Sequence, residues 1–527
     1  MPQFRFASTD PASARTDVLL LPVFEGPEAG PGVAEVGAAL GADLLELYRA
    51  NGLKGKRAEA LTVPTLGKLP AGSLVLLGLG KRAAASSDSL RRAVGKVAPR
   101  LARFRRVATT VADALDGPAE DRVQAVAEGL LLGSYRFDRY KTKGARDGEG
   151  REIEGPPKLR EVTFLGSGRG DTASRRAVER AEVVAEAVAW ARDLVNTPAL
   201  DATPEYLAEQ ARAMAREVGL EAKVWSKAQL ERGGFGGIVG VGRGSSNPPV
   251  MIELRYRGAG DATPIALTGK GVTFDSGGLS IKDAQQMEWM KADMAGAAAM
   301  LAVMRAVARL KPRINVVAAI PSSENLPGGS AIRPGDVLHH RGGKTSEVLN
   351  TDAEGRLILA DALAFLAERK PRAIIDAATL TGAAMIALGT EIFAAIGNDR
   401  DLIRDVLDAG EAVGEQGWEL PLWEGYRRQI DSPVADVKNI GERWGGAITA
   451  ALFLKEFVGD TPWVHLDVAG VAFAEKAGDY WPKGGTGSPV RTLVRYLLDQ
   501  AEKGGPGRRR PRRAVGSGPT GDGSRRS

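Results

Sequence analysis

The 527-residue sequence predicts an α/β fold in two domains: a smaller amino-terminal α/β domain and a larger α/β domain with a mainly parallel central sheet flanked by helices. Three observations predict it. Short apolar runs of strand length alternate with helical periodicities along the whole chain, as in layered α/β architectures. Four strongly apolar runs in the second part (residues 265–268, 314–320, 373–377 and 464–468) are each followed by a loop of small or polar residues. That is how parallel strands buried on both faces read. Between the two parts lies one long alanine-rich helical pattern, residues 174–195, closed at Asn196-Thr197-Pro198, where proline forbids continuation. The expected organisation is therefore a domain over 1–168, a connecting helix over 169–196, a catalytic domain over 197–502 and a tail over 503–527.

In chain order, residues 17–24 read as a buried strand and 33–50 as a helix. The strand at 73–79 runs into Gly78-Leu79-Gly80-Lys81. This Gly-x-Gly-Lys lacks the spacing of a phosphate loop and reads as a tight turn. Helices at 90–104 and 121–132 flank a strand at 106–112. Residues 141–158, rich in Gly, Arg and Glu, read as an exposed loop or hairpin. A strand at 162–165 follows, broken by Gly166-Ser167-Gly168. In the second part, 204–218 reads as a helix, and 222–225 and 250–256 as strands. The glycine-rich run 233–244 reads as a packed loop beside the active site, because no acidic residue in a strand-turn-helix context supports a nucleotide fingerprint. Helices at 290–310, 357–368, 402–413 and 447–458 separate the core strands, and 490–498 is the last helix.

Composition narrows the function classes. There is no cysteine, which excludes disulfides and thiolate chemistry. The segment Met1-Pro2-Gln3-Phe4-Arg5 has no apolar h-region, and no apolar run is long enough to cross a bilayer, so a cytoplasmic protein with no membrane partner is expected. The sequence pI of about 9.3 suggests nucleic acid at first sight. From Lys503 onward, however, eight basic residues face a single acid, a net +7 against +6 for the whole chain, so residues 1–502 carry −1. The tail is rich in Gly, Pro, Ser and Arg and is expected to be disordered. Nucleic-acid contact is expected only weakly, through the tail, and in a salt-sensitive way.

Two charged clusters carry the chemistry. In Leu349-Asn350-Thr351-Asp352-Ala353-Glu354-Gly355-Arg356-Leu357, two acids and a guanidinium stand at every-other spacing, so an extended segment would turn Asp352, Glu354 and Arg356 to one side. Thr351 and Glu354 also fit a capping box for the helix that follows. That reading leaves Asp352 and the second cluster unexplained. The second cluster is Lys270-Gly271-Val272-Thr273-Phe274-Asp275-Ser276-Gly277-Gly278, then Lys282 and Asp293. Lys270 and Asp275 would lie on a glycine-rich loop just past a strand's carboxyl end, where ligands gather in open α/β sheets. Asp293 would stand in the first turn of a helix, where the dipole alone favours a carboxylate, and Lys282 alone reads as a solvated loop lysine. As a set, Asp275, Asp293, Asp352 and Glu354 would carry four negative charges, which two divalent cations match. Oxygen donors suit magnesium and manganese, and carboxylates also bind zinc. Such a pair can activate a water and clamp an oxyanion. Lys270 could join as a neutral amine, while Lys282 and Arg356 stay cationic for an anion or a developing oxyanion. The three histidines, His339, His340 and His465, show neither an H-E-x-x-H spacing nor a G-x-S-x-G partner. His465, inside a strand pattern, reads as a satisfied buried histidine.

These residues resemble the leucine aminopeptidase (cytosol aminopeptidase) family of dinuclear metallopeptidases. Its octapeptide Asn350-Thr351-Asp352-Ala353-Glu354-Gly355-Arg356-Leu357 is intact, as are Gly269-Lys270-Gly271, Phe274-Asp275-Ser276-Gly277-Gly278 and Met290-Lys291-Ala292-Asp293-Met294. The likeness runs from about Ala191 to Leu498 and is weaker in Glu128-Gly129 and Gly133-Ser134-Tyr135. The segments Asn439-Ile440-Gly441, Gly445-Gly446 and Gly484-Gly485-Thr486-Gly487 fit the family's cleft loops and are given no catalytic role. The resemblance implies that Lys270, Asp275, Asp293, Asp352 and Glu354 ligate two divalent ions, manganese or zinc, with Asp275 and Glu354 touching both. It implies that Lys282 polarises the scissile carbonyl and that Arg356 anchors a bicarbonate serving as general base. Substrate contacts are implied for Met290, Thr379, Leu380 and Gly382. A homohexamer with active sites facing an interior cavity, assembled through the amino-terminal domain, is implied as well.

The expected function is thus an aminopeptidase that releases leucine and other large apolar residues from peptides. Its first rival is a hexameric DNA-binding protein, with or without peptidase activity; residues 1–502 show no basic excess for it. A second is a dinuclear hydrolase of another bond, such as a phosphoester, which the spacing alone allows.

Overall fold

A computed structural model of the chain describes residues 1–142, 158–166 and 170–503. The loop expected over 141–158, the boundary at 168 and the tail after Lys503 lie largely or wholly outside the described residues.

The amino-terminal sheet contains β1 (Gln3–Ala7), β2 (Val18–Phe24), β3 (Glu28–Ala29), β4 (Ala60–Pro64), β5 (Ser73–Gly78), β6 (Arg106–Thr109) and β7 (Glu161–Leu165). Their order is β1-β7-β6-β2-β5-β4, with β3 on β2. β2 is buried throughout because it lies between β5 and β6 and has helices over both faces. Its alternate side chains enter two cores, Val18 and Leu20 in one, Leu19 and Leu21 in the other. The single helix expected over 33–50 is two, α1 (Val33–Leu40) and α2 (Leu44–Ala50). Gly41 turns to φ 70° and ends the first, and the Asp43 carboxylate accepts the Leu45 and Glu46 amides to start the second. β1 and β4 escape the sequence pattern because both are only partly buried edge strands. The strand expected over 106–112 stops at Thr109 and gives way to a 3-10 turn, Val111–Ala114. Helices α3 (Ser87–Leu101) and α4 (Ala119–Gly133) cover one face of the sheet. The connecting helix α5 (Thr172–Asn196) contributes Val178 and Ala181 to the amino-terminal core and Val184 through Val195 to the next.

The larger sheet is built from β8 (Glu221–Trp225), β9 (Val250–Arg257), β10 (Ile265–Gly269), β11 (Gly271–Asp275), β12 (Asn315–Asn325), β15 (Ala373–Ala378), β16 (Ile392–Gly397), β17 (Gln416–Glu419) and β19 (Trp463–Asp467). β13 (Val337–His339), β14 (Thr345–Glu347) and β18 (Val437–Lys438) form a small side sheet, and β20 (Phe473–Ala474) pairs with β21 (Gly484–Gly485). The main order is β17-β16-β19-β15-β10-β12-β9-β8, with β11 beside the end of β12. The central four, β19-β15-β10-β12, are parallel and are the four apolar runs read from the sequence. Antiparallel neighbours flank them on both sides. Helices α6 (Pro204–Val218), α7 (Lys227–Arg232), α8 (Gly236–Val241) and α9 (Ala284–Met287) precede α10 (Ala295–Leu310), which leads from β10 and β11 to β12, and α11 (Gly355–Ala367) leads from β12 to β15 on the opposite face. The chain therefore crosses from β12 on one side of β10 to β15 on the other, and the carboxyl ends of β10 and β15 mark the position at which open α/β sheets place their ligand crevice.

Three expectations change here. β12 runs on to Asn325, because β11 pairs with Ser322–Asn325; Asp275 thus ends a strand, and Lys270 is the one-residue break between β10 and β11. The glycine-rich run 233–244 is helical, α8 (Gly236–Val241) and a 3-10 turn, since glycine lets it press against the carbonyls of His339, Leu357 and Leu326. Asp293 precedes α10 instead of standing in its first turn, after a separate 3-10 turn, Met290–Ala292. Among the described residues, no helix is long and apolar enough to cross a membrane.

Candidate active site

Four segments converge on the crevice: the β10–β11 break with Lys270, the end of β11 with Asp275, the approach to α10 with Asp293, and the turn before α11 with Asp352 and Glu354. Lys270 Nζ lies 2.7 Å from Asp293 Oδ2 and 2.8 Å from Glu354 Oε1, and donates to the Thr379 carbonyl at 3.1 Å. Lys282 Nζ lies 2.9 Å from Asp275 Oδ2 and also contacts Asp352 Oδ1. Asp275, Asp293 and Glu354 each present an oxygen within 4.8 Å of the others, all three buried. Gly355 leaves the room that the Lys270 side chain fills.

The turn that delivers Asp352 and Glu354 is neither extended nor a capping box. α11 begins at Gly355, and Glu354, at its N-cap, has helical φ −82° and ψ −33° and makes no side-chain cap. The Thr351 hydroxyl donates to the Gly277 carbonyl at 2.6 Å and accepts the Ser280 amide at 2.8 Å, stitching the two sequence clusters together. Gly277 sits at φ 86°, where a Cβ would meet the Ser280 carbonyl and the Asp352 carboxylate. Asn325 Nδ2 donates to Asp275 Oδ1 at 2.8 Å and to the Thr351 carbonyl at 2.9 Å.

The electrostatics show a site short of positive charge. Burial pushes Asp293 well above the usual carboxylate range, against the pull of Lys270, and Glu354 and Asp275 add to the rise. Burial and then Glu354 raise Asp275; burial and then Asp275 raise Asp352. Burial opposes charge on Lys270, yet Asp293, Glu354 and Asp275 more than offset it and hold the ammonium above its ordinary value. Lys282 is raised in the same way, chiefly by Asp275. Both members of the Lys270–Asp293 pair thus move up, because four carboxylates share two ammonium groups. Glu354 Oε2 is buried without a partner. Asp293 Oδ2, Asp352 Oδ1 and Glu354 Oε1 have only ammonium groups beside them, in poor hydrogen-bonding directions. A buried acceptor left in this way costs about 1–3 kcal/mol. A set of carboxylate oxygens and one amine with open lone pairs fits hard divalent cations.

Arg356, in the first turn of α11, is buried and donates through Nη1 to the Asn439 carbonyl at 2.7 Å; its Nε has no partner. Burial lowers its pKa to about 10, with Glu354 and Asp467 pulling the other way, so it is cationic at neutral pH. Thr379 belongs to the cluster itself: its hydroxyl donates to Asp293 Oδ1 at 2.7 Å. Leu380 and Gly382 continue that loop, with Gly382 exposed at the start of α12 (Gly382–Leu388), and Met290 lies half-buried three residues before Asp293.

The histidines stand apart. His340 Nδ1 lies 3.1 Å from Asp361, and its Nε2 lies 2.7 Å from Ser346 Oγ, the order of a hydrolytic triad. Ser346 is fully buried, so this is an internal brace between the side sheet and α11. His465 is paired on one side only, Nδ1 at 2.5 Å from Asp376, while Nε2 is buried without a partner, unlike the satisfied histidine expected. From sequence, Asn439 is placed in a cleft loop without a catalytic role, and Asn325 and Asp467 are not singled out. Asp467 accepts the Leu380 amide at 3.2 Å and the Thr381 hydroxyl at 2.6 Å, and so shapes the loop after β15. The available signal was positional: Asn325 and Asp467 each end an apolar strand at the crevice.

Comparison with known proteins follows the same residues. Residues 189–494 match the cytosol aminopeptidase family's catalytic domain, and residues 20–144 match its N-terminal domain. The chain belongs to the cytosol aminopeptidase family. A probable cytosol aminopeptidase of Syntrophotalea carbinolica is 46% identical, over 92% of this chain and 97% of its own length. One from Streptomyces avermitilis is 44% identical, over 93% and 97%. Among solved structures, a tomato leucine aminopeptidase mutant is similar at a TM-score of 0.85 and 33% identity, covering 95% of this chain and 97% of that one. The bottromycin maturation enzyme BotP in complex with manganese is similar at 0.81 and 37%, covering 92% and 100%. This cytosol aminopeptidase family member is a metal-dependent aminopeptidase, a hydrolase acting on peptides. The DNA-binding alternative gains no support.

Proposed function

We propose that the enzyme releases amino-terminal residues, preferably leucine and other large apolar ones, by two-metal hydrolysis. The observation that carries this reading is the buried trio Asp275, Asp293 and Glu354, with Asp352 alongside and carboxylate oxygens left without hydrogen-bond donors. Lys270, Asp275, Asp293, Asp352 and Glu354 would hold two divalent ions, manganese or zinc. Such ions supply an activated water at neutral pH and polarise a carbonyl. Lys270 would join as a neutral amine once cations replace its ammonium among the carboxylates. Lys282, on a glycine-rich loop beside Asp275 and Asp352, would turn its ammonium to the developing oxyanion. Arg356, cationic and with its Nε unpaired, would hold a bicarbonate ion, which would supply a general base. Thr379, Leu380 and Gly382 would line the peptide, and Met290 would bound the side-chain pocket. We further propose the division into residues 1–168, 169–196, 197–502 and 503–527, a homohexamer assembled through the first of these, and a cytoplasmic location.

The test is hydrolysis of a leucyl chromogenic amide before and after chelation, with manganese or zinc returned. Activity lost and restored is the expected result. Asp352→Asn should abolish it, and unchanged activity and metal content in that variant would refute the mechanism.

A further inference from the structure

We propose that Asn439 is a positioning residue for the aminopeptidase reaction, holding Asp352, Glu354 and Arg356 in register; the proposal rests on the two-metal reading above. Asn439 is fully buried. Its Oδ1 accepts the Leu349 amide at 2.8 Å and the Asn350 amide at 3.3 Å. Its Nδ2 donates to the Asn350 carbonyl at 2.7 Å and the Ala353 carbonyl at 3.3 Å. One side chain therefore grips peptide groups on both sides of Asp352, the later of them leading into Glu354. Its backbone carbonyl accepts Arg356 Nη1 at 2.7 Å. The residue is carried there by the side sheet: β18 runs parallel to β14 with Glu347 opposite Lys438, and the Asn439 amide donates to the Glu347 carbonyl at 2.9 Å. A segment distant in sequence thus fixes the ligand turn and the guanidinium together.

Only a planar head with an acceptor and a donor meets this pattern. Aspartate would set an oxygen against two carbonyls, glutamine would not fit a site with no free surface, and alanine would release the turn. Groups that orient metal ligands in this way typically contribute about 10–100-fold in metal affinity or activity.

The test uses the full chain loaded with manganese, as N439A, N439D and N439S. Asn315→Ala serves as the control, because Asn315 is a buried amide making a comparable clamp away from the crevice. It accepts the Ala259 amide at 2.9 Å and donates to the Gly260 and Ala262 carbonyls at 2.7 Å each. Leucyl-amide kcat and KM, manganese affinity by equilibrium dialysis, and thermal unfolding are read for each. The expected result is a kcat lower by about 10–100-fold and manganese bound correspondingly more weakly in N439A, with KM changed by less than about threefold. N439D should be worse than N439A, and N439S between N439A and wild type. The control should lose thermal stability yet keep kcat per folded chain. Unchanged kcat and manganese affinity in N439A or N439S would overturn the proposal. So would losses that follow thermal stability alike in the Asn439 and Asn315 variants. Wild-type protein that binds no manganese would overturn the two-metal reading first, and this proposal with it.

Discussion

In both the cleft and the seam between the domains carboxylates are buried with cations, at similar distances and with opposite consequences. At the seam, Arg91 Nε lies 2.7 Å from Glu128 Oε2 and its Nη1 2.8 Å from Asp88, while Arg92 Nε lies 2.6 Å from Asp88. Gln124 donates to the other Glu128 oxygen at 2.6 Å. Arg491 reaches the Tyr480 hydroxyl at 2.6 Å and Glu415 at 3.5 Å, and Glu415 also accepts the Thr492 amide and hydroxyl. Burial would raise Asp88 and Glu128, but the arginines outweigh it and hold both below the usual carboxylate range. In the cleft, Asp275, Asp293 and Asp352 all stand above that range. The difference lies in the count of charges. With Asp479, which Arg92 and Arg57 also reach, four acids meet four arginines at the seam, whereas four acids meet two lysines in the cleft. A buried cluster that balances itself serves folding; one that does not is built for cations from outside.

The largest expected effect breaks the cleft. Glu354→Gln should lower kcat/KM by roughly a thousandfold, the equivalent of several kcal/mol of transition-state stabilisation. Thermal unfolding of the metal-free variant should be unchanged or raised, because an unpartnered buried carboxylate oxygen is gone. Second, Arg91→Ala should do the reverse: it strands Glu128 without its cation and should cost about 3–5 kcal/mol in urea unfolding, while kcat per folded chain stays near wild type. Third, manganese at about a hundred times the Kd of each site should stabilise the wild type by about 2.7 kcal/mol per ion bound, and Glu354→Gln should lose most of that shift while seam variants keep it. Smallest is the acid limb. Glu128 and Asp88 have depressed folded values, so the unfolded chain binds more protons just above them. Their contribution is complete above the ordinary carboxylate value and is lost as pH falls through the depressed one. Glu128→Gln should therefore flatten the decline of Tm between about pH 5 and pH 2.

The cleft was far more legible in sequence than the seam. Each cleft ligand candidate sits in a short dense motif, and each of the four core strands is a continuous apolar run. The seam is assembled from Asp88, Glu128 and Arg491 on three helices and Glu415 on a turn, far apart in the chain, and only Glu128 falls in a short family-like pair. The failures inside the cleft have the same origin. The every-other spacing of Asp352, Glu354 and Arg356 suggests an extended segment, yet the turn is held by Asn439 and Thr351 through long-range hydrogen bonds that spacing does not encode. Asp293 looked like a dipole-favoured helix residue, but Lys270 and Thr379 claim its carboxylate, and α10 starts after it. The half-exposed β1 and β4 were missed because one buried face in five residues is too weak a period to read.

Four acids facing two lysines leave the cleft two positive charges short. The most direct measurement is the number of manganese ions bound per chain by equilibrium dialysis, followed alongside leucyl-amide turnover as the metal is titrated into chelated protein. Two ions per chain, with turnover rising as they bind and with both lost in Glu354→Gln, is the predicted result. Turnover that is indifferent to chelation, or a folded chain that binds no manganese or zinc, would contradict it.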